Sequence, residues 1–215
     1  MATTGGAGRP EKRKAITLAA MVVFGREGYV RASMDAIAAE AGVSKRTVYN
    51  HFGDKEALFL SVALQNSAEL TEKIRDLMAK YLDRVVDLRQ DLVDFAVERA
   101  RAVLSAGEHG ALGRAIRAEV ANIPADVLGA WLEAGPIASL RDLAAHFEAL
   151  TERGLLAVED AALAAEQYTL LTFHPVADRS FWGALPVADE EVERIAAVGV
   201  DAFLRIHGAP APAEG

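Results

Sequence analysis

The clearest pattern of apolar and polar positions lies between residues 33 and 59, where two short helical patterns flank a turn. Ser33 can cap the first helix, because its hydroxyl accepts a hydrogen bond from a free N–H of the first turn. Gly42 supplies the positive φ that suits the end of that helix, and Ser44 can cap a second one from Lys45 to His51. Four apolar positions of the first pattern recur at helical spacing: Met34, Ile37, Ala38 and Ala41. This arrangement predicts a helix-turn-helix, whose second helix enters the major groove of DNA.

The outward face of the second helix carries polar side chains that suit contact with a groove. If Val48 points to the core, a rotation of about 100° per residue puts Arg46 and Asn50 almost opposite it. Lys45, Thr47 and Tyr49 then lie on the flanks. The same face also suits a solvated helix of a small bundle, but the caps, the small residues, the glycine and the apolar anchor favour a DNA-reading helix.

Helices are also predicted on both sides of this motif. An apolar stripe before it ends at Gly28, and it completes a three-helix head. After it, Asp54 can cap a helix that runs to about Lys80. A single helix shared by the head and the rest of the chain would act as a mechanical lever. The positions of the first stripe are Ile16, Ala19, Ala20, Val23 and Phe24.

The rest of the chain is predicted to form a helical body, which gives an all-α fold of about nine helices. Gly135-Pro136 predicts a kink, because proline removes a helical hydrogen bond. A loop is expected over 176–188, before a last helix from Asp189 to His207. The predicted organisation is a disordered arm (1–10), a helix-turn-helix domain (11–55), a body for ligand binding and dimerisation (56–207) and a disordered tail (208–215).

Composition and charge narrow the class of protein. The 215 residues include no cysteine and no apolar run near the ~20 residues that span a bilayer, so we expect a cytoplasmic protein without a membrane partner. The net charge is −8, yet residues 1–55 hold nine basic and five acidic side chains. A basic head on an acidic body favours a nucleic-acid partner. Arg9, Lys12, Arg13 and Lys14 either contact phosphates or form an ordinary solvated helix start.

Residues 31–60 resemble the DNA-binding head of TetR-type transcriptional regulators. The matching motifs are F-x-x-x-G (Phe24 to Gly28), M-x-x-I-A-x-x-A-G-V-S (Met34 to Ser44), T-V-Y-N-H-F (Thr47 to Phe52) and K-E-A-L-F (Lys55 to Phe59). The resemblance implies phosphate contacts from Thr47, Tyr49, His51 and Lys55, with Lys45, Arg46 and Asn50 nearer the bases. With the two capping serines, the candidate DNA-binding set is Ser33, Ser44, Lys45, Arg46, Thr47, Tyr49, Asn50, His51 and Lys55.

The resemblance also implies a homodimer and a pocket for a small apolar or amphipathic effector. In that family the last two long helices usually pair with those of a second copy. The apolar stripes of 163–173 and 192–206 suit such pairing, or else they are buried internally. Large rings with polar tips could line the pocket, although ordinary core packing explains each of them as well. The candidate pocket residues are Trp131, His146, Phe147, Tyr168 and Phe173.

Catalytic signatures are missing from the sequence. It has no nucleophile elbow, phosphate loop or dinucleotide fingerprint, and no two histidines stand at the i, i+4 spacing of a helical zinc site. We therefore expect neither an enzyme nor a cofactor. The predicted function is a homodimeric repressor that binds a palindromic operator in double-stranded DNA and is released by a small-molecule inducer. The alternatives are a helical interaction module whose basic head binds a protein partner, and an enzyme with a vestigial head.

Overall fold

The computed structural model describes residues 8–105 and 107–209, and within these ranges the regular structure is helical. This confirms the predicted all-α fold, with its helix-turn-helix near the N-terminus and a long helix after it. The helices in chain order are α1 (Gly8–Arg31), α2 (Met34–Glu40), α3 (Lys45–Phe52), α4 (Lys55–Leu82), α5 (Leu88–Val103), α6 (Glu108–Ala118), α7 (Ala125–Leu132), α8 (Ala138–Glu152), α9 (Ala161–Thr172), α10 (His174–Arg179) and α11 (Asp189–His207).

The predicted boundaries differ from the structure at a few places. α1 already includes residues 8–10, which were expected in the arm, while residues 1–7 and 210–215 lie outside the described part. Pro136 interrupts the helix as predicted, because a π-helical turn, Glu133–Ile137, separates α7 from α8. The expected loop over 176–188 is wrong in its first part. α10 occupies it because Pro175 stands in the first turn of that helix, where its missing N–H costs nothing.

The chain forms two compact units. The first, called the head unit below, comprises residues 8–68 and 107–134, and the second, the body unit, comprises 69–105 and 135–209. α4 contributes its first part to the head unit and its last part to the body unit. The head unit therefore extends beyond the predicted helix-turn-helix domain, because α6 and α7 belong to it.

The core of the head unit is built on aromatic side chains from α1 and α4. The rings of Phe24 and Phe59 meet edge to face with centroids 4.9 Å apart, and Tyr29 lies 4.7 Å from Phe59. α6 packs closely against α1, since a Cβ added at Gly25 would lie 3.2 Å from the Cβ of Ala111. The small residues at this crossing therefore set how closely the two helices approach.

The core of the body unit is a cluster of rings from four helices. Phe147, Tyr168 and Phe203 contact one another at centroid distances of 5.1 to 5.5 Å, and Phe95 lies 6.0 Å from Tyr168. α9 and α11 pack tightly at Gly199, where an added Cβ would lie 2.4 Å from a backbone oxygen of α9. Among the helices described, none combines the length and the apolar character that crossing a membrane requires.

Candidate nucleic-acid interface

The helices α2 and α3 have the capping geometry that the sequence predicts. The Ser33 hydroxyl accepts a hydrogen bond from Ala36 N at 3.1 Å, and the Ser44 hydroxyl accepts one from Thr47 N at 3.2 Å. Gly42 adopts a φ of +64°, which permits the sharp change of direction without the strain that a side chain would add. Both serines thus act as N-caps that fix the start of their helices.

α3 buries one side and exposes the other. Val48 is fully buried and Phe52 nearly so, whereas Arg46, Tyr49 and Asn50 are exposed. The orientation predicted from a rotation of 100° per residue is therefore confirmed for Arg46 and Asn50. Neither side chain has a hydrogen-bond partner among the described residues, so both are available to another molecule.

Two further side chains of α3 make local contacts. Lys45 Nζ lies 2.8 Å from the Asp35 carboxylate, and this hydrogen bond raises the pKa of Lys45. The Thr47 hydroxyl lies 2.8 Å from that of Ser44. Both partners of the ion pair are exposed, and such pairs contribute little to stability, so it can open at small cost when another molecule approaches.

Basic side chains from the start of α1 surround the C-terminal end of α3. Arg13 donates from Nη1 to the backbone oxygen of His51 at 3.1 Å, and its guanidinium lies 4.3 Å from the Phe52 ring centroid. The pKa of His51 is lowered by partial burial and by the positive charges of Arg9, Arg13 and Lys12. The charges of these basic side chains give this edge a positive potential, which suits a polyanion.

Lys55 has a set of partners that the sequence did not indicate. Its Nζ lies 2.8 Å from the backbone oxygen of Tyr29 and 3.3 Å from those of Val30 and Ala32. It also lies 4.6 Å from the Tyr29 ring centroid. The ammonium thereby binds carbonyl groups at the C-terminal end of α1, a favourable place for a cation. A phosphate contact from Lys55 stays a prediction.

The candidate pocket residues fall in different units. Trp131 lies in the head unit, and the other four lie in the body unit. The Trp131 indole N–H is buried and has no acceptor among the described residues. Phe147 and Tyr168 belong to the aromatic cluster, and the Tyr168 hydroxyl donates to the backbone oxygen of Leu92 at 2.6 Å. For Phe147 and Tyr168 the contacts are therefore those of ordinary core packing.

The other two pocket candidates, His146 and Phe173, make polar or charged contacts. His146 Nε2 lies 3.3 Å from the Asp83 carboxylate, and its Nδ1 lies 2.8 Å from the backbone oxygen of Asp142. The Phe173 ring centroid lies 5.3 Å from the guanidinium carbon of Arg99. A groove of about 460 Å³ on the body unit is lined mainly by charged and polar side chains and by none of the five candidates.

Sequence reasoning missed two residues with notable environments, Arg99 and Glu119. Arg99 is buried in the body unit, and Glu119 hydrogen-bonds to the backbone of α1. A signal for Arg99 was present, because it stands seven residues after Leu92 and four after Phe95, on the apolar stripe of α5. No pattern in the sequence around Glu119 indicates its contact with α1. Among the described residues, no three His, Asp or Glu side chains are grouped as a metal site would require.

Two family models match the chain. "Bacterial regulatory proteins, tetR family" matches residues 16–62, which contain the helix-turn-helix. "AefR-like transcriptional repressor, C-terminal domain" matches residues 90–209, more than half of the chain.

Solved structures and curated relatives agree with these matches. A TetR-family transcriptional regulator of Mesorhizobium loti MAFF303099 superposes with a TM-score of 0.84 at 32% identity, covering 94% of this chain and 98% of that one. The flavonoid-responsive regulator FrrA gives a TM-score of 0.69 at 28% identity, with 94% and 100% coverage. The transcriptional activator FasR of Mycolicibacterium smegmatis is 38% identical over 81 residues, which are 38% of this chain and 37% of FasR. The chain thus spans little more than a third of this curated relative. On the family models and the Mesorhizobium structure, the chain belongs to the TetR family of transcriptional regulators.

Proposed function

We propose that the chain is a homodimeric repressor that binds a palindromic operator through α3 and is released from DNA by a small-molecule inducer. The observation that carries the DNA-binding half is the face of α3, on which Arg46, Tyr49 and Asn50 are exposed. Arg46 and Asn50 have side chains that pair with base edges, arginine with guanine and asparagine with adenine. These side chains stand on a helix whose start is capped by Ser44, which fixes the direction of the outward face.

The positive edge beside α3 supports an oriented approach to the phosphate backbone. Arg9, Lys12 and Arg13 lie near His51, and Lys45 is held only by an exposed ion pair. Phosphate contacts position a protein on the duplex, and base contacts select the sequence. We therefore assign Lys45, Arg46 and Asn50 to base reading, and Thr47, Tyr49, His51 and Lys55 to phosphate contacts.

The exposed apolar residues of α9 and α11 support dimerisation. Leu163 and Leu170, seven residues apart on α9, are 48% and 56% exposed. Val198 and Ile206, eight apart on α11, are 56% and 60% exposed. Each pair stands at helical spacing on one face, and the two helices pack against each other. Pairing with a second copy would cover these side chains and would present two α3 helices to the two halves of an inverted repeat.

The inducer half of the proposal rests on the family and on two buried groups, Arg99 Nε in the body unit and the Trp131 indole N–H in the head unit. Neither has a hydrogen-bond partner among the described residues. FrrA is named as a flavonoid-responsive regulator, and a response of this chain to some small molecule is proposed by likeness. Since α4 belongs to both units, a ligand that changes its position would change the presentation of α3. By linkage, the inducer must bind the DNA-free state more tightly, and DNA must weaken inducer binding by the same factor.

Footprinting of the purified protein on the DNA that flanks its own gene tests the DNA half. We expect protection of an inverted repeat, with an affinity that falls steeply as salt is raised. Arg46→Ala is the specificity control, and transcription in vitro from the protected promoter distinguishes repression from the activation for which FasR is named. If no DNA is protected, any DNA affinity does not change with salt, and the head binds a protein instead, the interaction module would be favoured.

A further inference from the structure

A buried arginine in the body unit has no carboxylate partner among the described residues. Arg99 lies on α5 and is 7% exposed. Its Nη1 donates to the Thr169 hydroxyl at 2.9 Å, and its guanidinium carbon lies 5.3 Å from the Phe173 ring centroid. Among the described residues, the buried Nε has no acceptor, and no Asp or Glu lies within ion-pairing distance of the guanidinium. An arginine is almost never buried in this way unless it is paired.

The other groups near Arg99 do not supply the missing negative charge. Tyr168 is neutral at physiological pH, since burial raises its pKa, and its hydroxyl is committed to the backbone oxygen of Leu92. Burial lowers the pKa of Arg99 to about 10, so the guanidinium is still a cation near neutrality. An uncompensated buried charge costs free energy that a protein normally avoids.

Exposed arginines of the same unit show the contrast. Arg75 pairs with Asp142 at 2.7 Å, and Arg89 pairs with Asp201 at 2.6 Å. Arg101, two residues after Arg99 on the same helix, lies 2.8 Å from Glu98 and 3.1 Å from Asp189. These three surface arginines thus have carboxylate partners, whereas the buried Arg99 has none among the described residues.

We propose that Arg99 binds the carboxylate of a small aromatic or otherwise apolar ligand. The Thr169 hydroxyl engages Nη1, which leaves the edge formed by Nε and Nη2 to hold two carboxylate oxygens in a bidentate pair. Phe173 provides an apolar surface beside the charge for the rest of the ligand. The proposal rests on the proposed function, in that it names the chemical class of the inducer, an amphipathic carboxylate.

Benzoate and benzamide are matched probes for this site, because they share the ring and differ in charge. Full-length protein is titrated with each at constant ionic strength, and the Nε–H resonance of Arg99, assigned through its contacts with the Phe173 ring, is followed by NMR. We expect benzoate to shift this resonance saturably and benzamide to leave it unchanged. An unshifted resonance with benzoate, or equal shifts with both probes, overturns the proposal.

Substitutions provide the second measurement. Arg99→Met removes the charge at similar length and should weaken benzoate binding at least tenfold, as expected for the loss of charge-assisted hydrogen bonds. Arg99→Lys keeps a cation but not the fork, so it should weaken binding less. Arg101→Met is the surface control and should bind as wild type does. Equal benzoate affinity in Arg99→Met and wild type contradicts the proposal, and if Arg99→Met does not fold, the lysine variant and the wild-type resonance decide.

The two proposals fail separately. Benzoate binding at Arg99 is measured without DNA, so it stands or falls whether or not an operator is found. If benzoate binds through Arg99 but does not alter affinity for a footprinted operator, the inducer role fails and the carboxylate site stands. If the operator is bound and benzoate does not shift the Arg99 resonance, the proposed carboxylate site is wrong and the proposed DNA binding stands.

Discussion

The carboxylate of Glu119 accepts a hydrogen bond from the backbone N–H of Val30 at 2.8 Å, across 89 positions of sequence. Val30 stands two residues after Gly28, where α1 is kinked with a φ of +81°. A turn that begins after a kink has N–H groups without helical acceptors, so Glu119 acts as a cap supplied from a distant segment. The carboxylate also fills the space where Gly28 lacks a side chain, since a Cβ there would lie 2.4 Å from it.

Removal of this cap should destabilise the head unit. Glu119→Ala leaves the Val30 N–H without its protein acceptor, and we expect a loss of about 1 kcal/mol in the free energy of unfolding. Glu119→Gln keeps an acceptor oxygen and should lose less. Urea unfolding measures both, and equal midpoints for wild type and Glu119→Ala would show that water replaces the carboxylate fully.

Gly28 should tolerate no side chain. Gly28→Ala places a Cβ at a positive φ and against the Glu119 carboxylate, so both strain and collision lower stability, by more than 1 kcal/mol. In the double variant Gly28→Ala/Glu119→Ala the collision is absent while the strain persists. We therefore expect the two losses to be less than additive in urea unfolding. Strict additivity would mean that the carboxylate simply moves aside.

Lys55 should stabilise the head unit whether or not it contacts DNA. Lys55→Met removes the charge at similar length and leaves three backbone oxygens without their ammonium donor, for which we expect a loss of roughly 1–3 kcal/mol. Thermal unfolding of the free protein measures this loss. The salt dependence of DNA binding then tests the phosphate role separately, because loss of one phosphate contact lowers the slope by about one.

The local parts of the head could be predicted from sequence because short-range rules determine them. Ser33, Gly42 and Ser44 each act through neighbours within three or four residues, and the direction of Val48 follows from helical periodicity. The same rules cannot identify the partner of a residue far away in sequence. For that reason the contacts of Lys55 with the end of α1 and of Glu119 with Val30 were missed.

The roles of side chains in the body unit were harder to predict, because only three-dimensional contacts show whether an aromatic ring lines a pocket or packs in the core. Tyr168 and Phe147 are residue types that often line a pocket, but their contacts with Phe203 place them in a packed cluster. Arg99 stands on the apolar stripe of α5, and its position shows that it is buried but not what it pairs with. Only its neighbours in three dimensions show that none of the described Asp and Glu side chains pairs with it.

Arg46 should determine sequence preference. Arg46→Ala removes an exposed guanidinium from the centre of the outward face of α3, and we expect about 1–3 kcal/mol less discrimination between operator and scrambled DNA. Tyr49→Phe is a matched control, because loss of a phosphate contact weakens binding to both DNAs alike. Competition gel shifts give the two ratios. An operator-to-scrambled ratio equal to that of wild type would remove Arg46 from base reading.

DNA binding should strengthen as the pH falls through the titration of His51. In the free protein the pKa of His51 is lowered, first by burial and then by Arg9, Arg13 and Lys12. A nearby phosphate favours the charged ring and so raises the pKa in the complex. The complex then holds the proton more tightly, and affinity rises as the pH drops from the pKa of the complex towards that of the free protein.

His51→Asn tests this dependence. The variant should bind with an affinity that changes less between pH 8 and about 6, while His174→Asn should behave as wild type. For the free protein the sign is opposite. Because the folded-state pKa lies below the unfolded value of about 6.5, protonation favours unfolding, and stability falls as the pH drops below that value. A pH profile unchanged in His51→Asn would place His51 away from the phosphates.

A charge on the exposed face of α9 should separate the proposed dimer. Leu170 is 56% exposed, and Leu170→Lys would bury an unpaired ammonium if a second copy covers this face. Val86→Lys is the matched control, since Val86 is 95% exposed and lies outside the helices. Sedimentation should give a monomer for Leu170→Lys and a dimer for the control. Because one α3 helix contacts one half-site, the Leu170→Lys variant should also lose the added affinity of an inverted repeat over a single half-site. If both variants sediment as wild type does and keep that gain, the dimer does not use this face of α9.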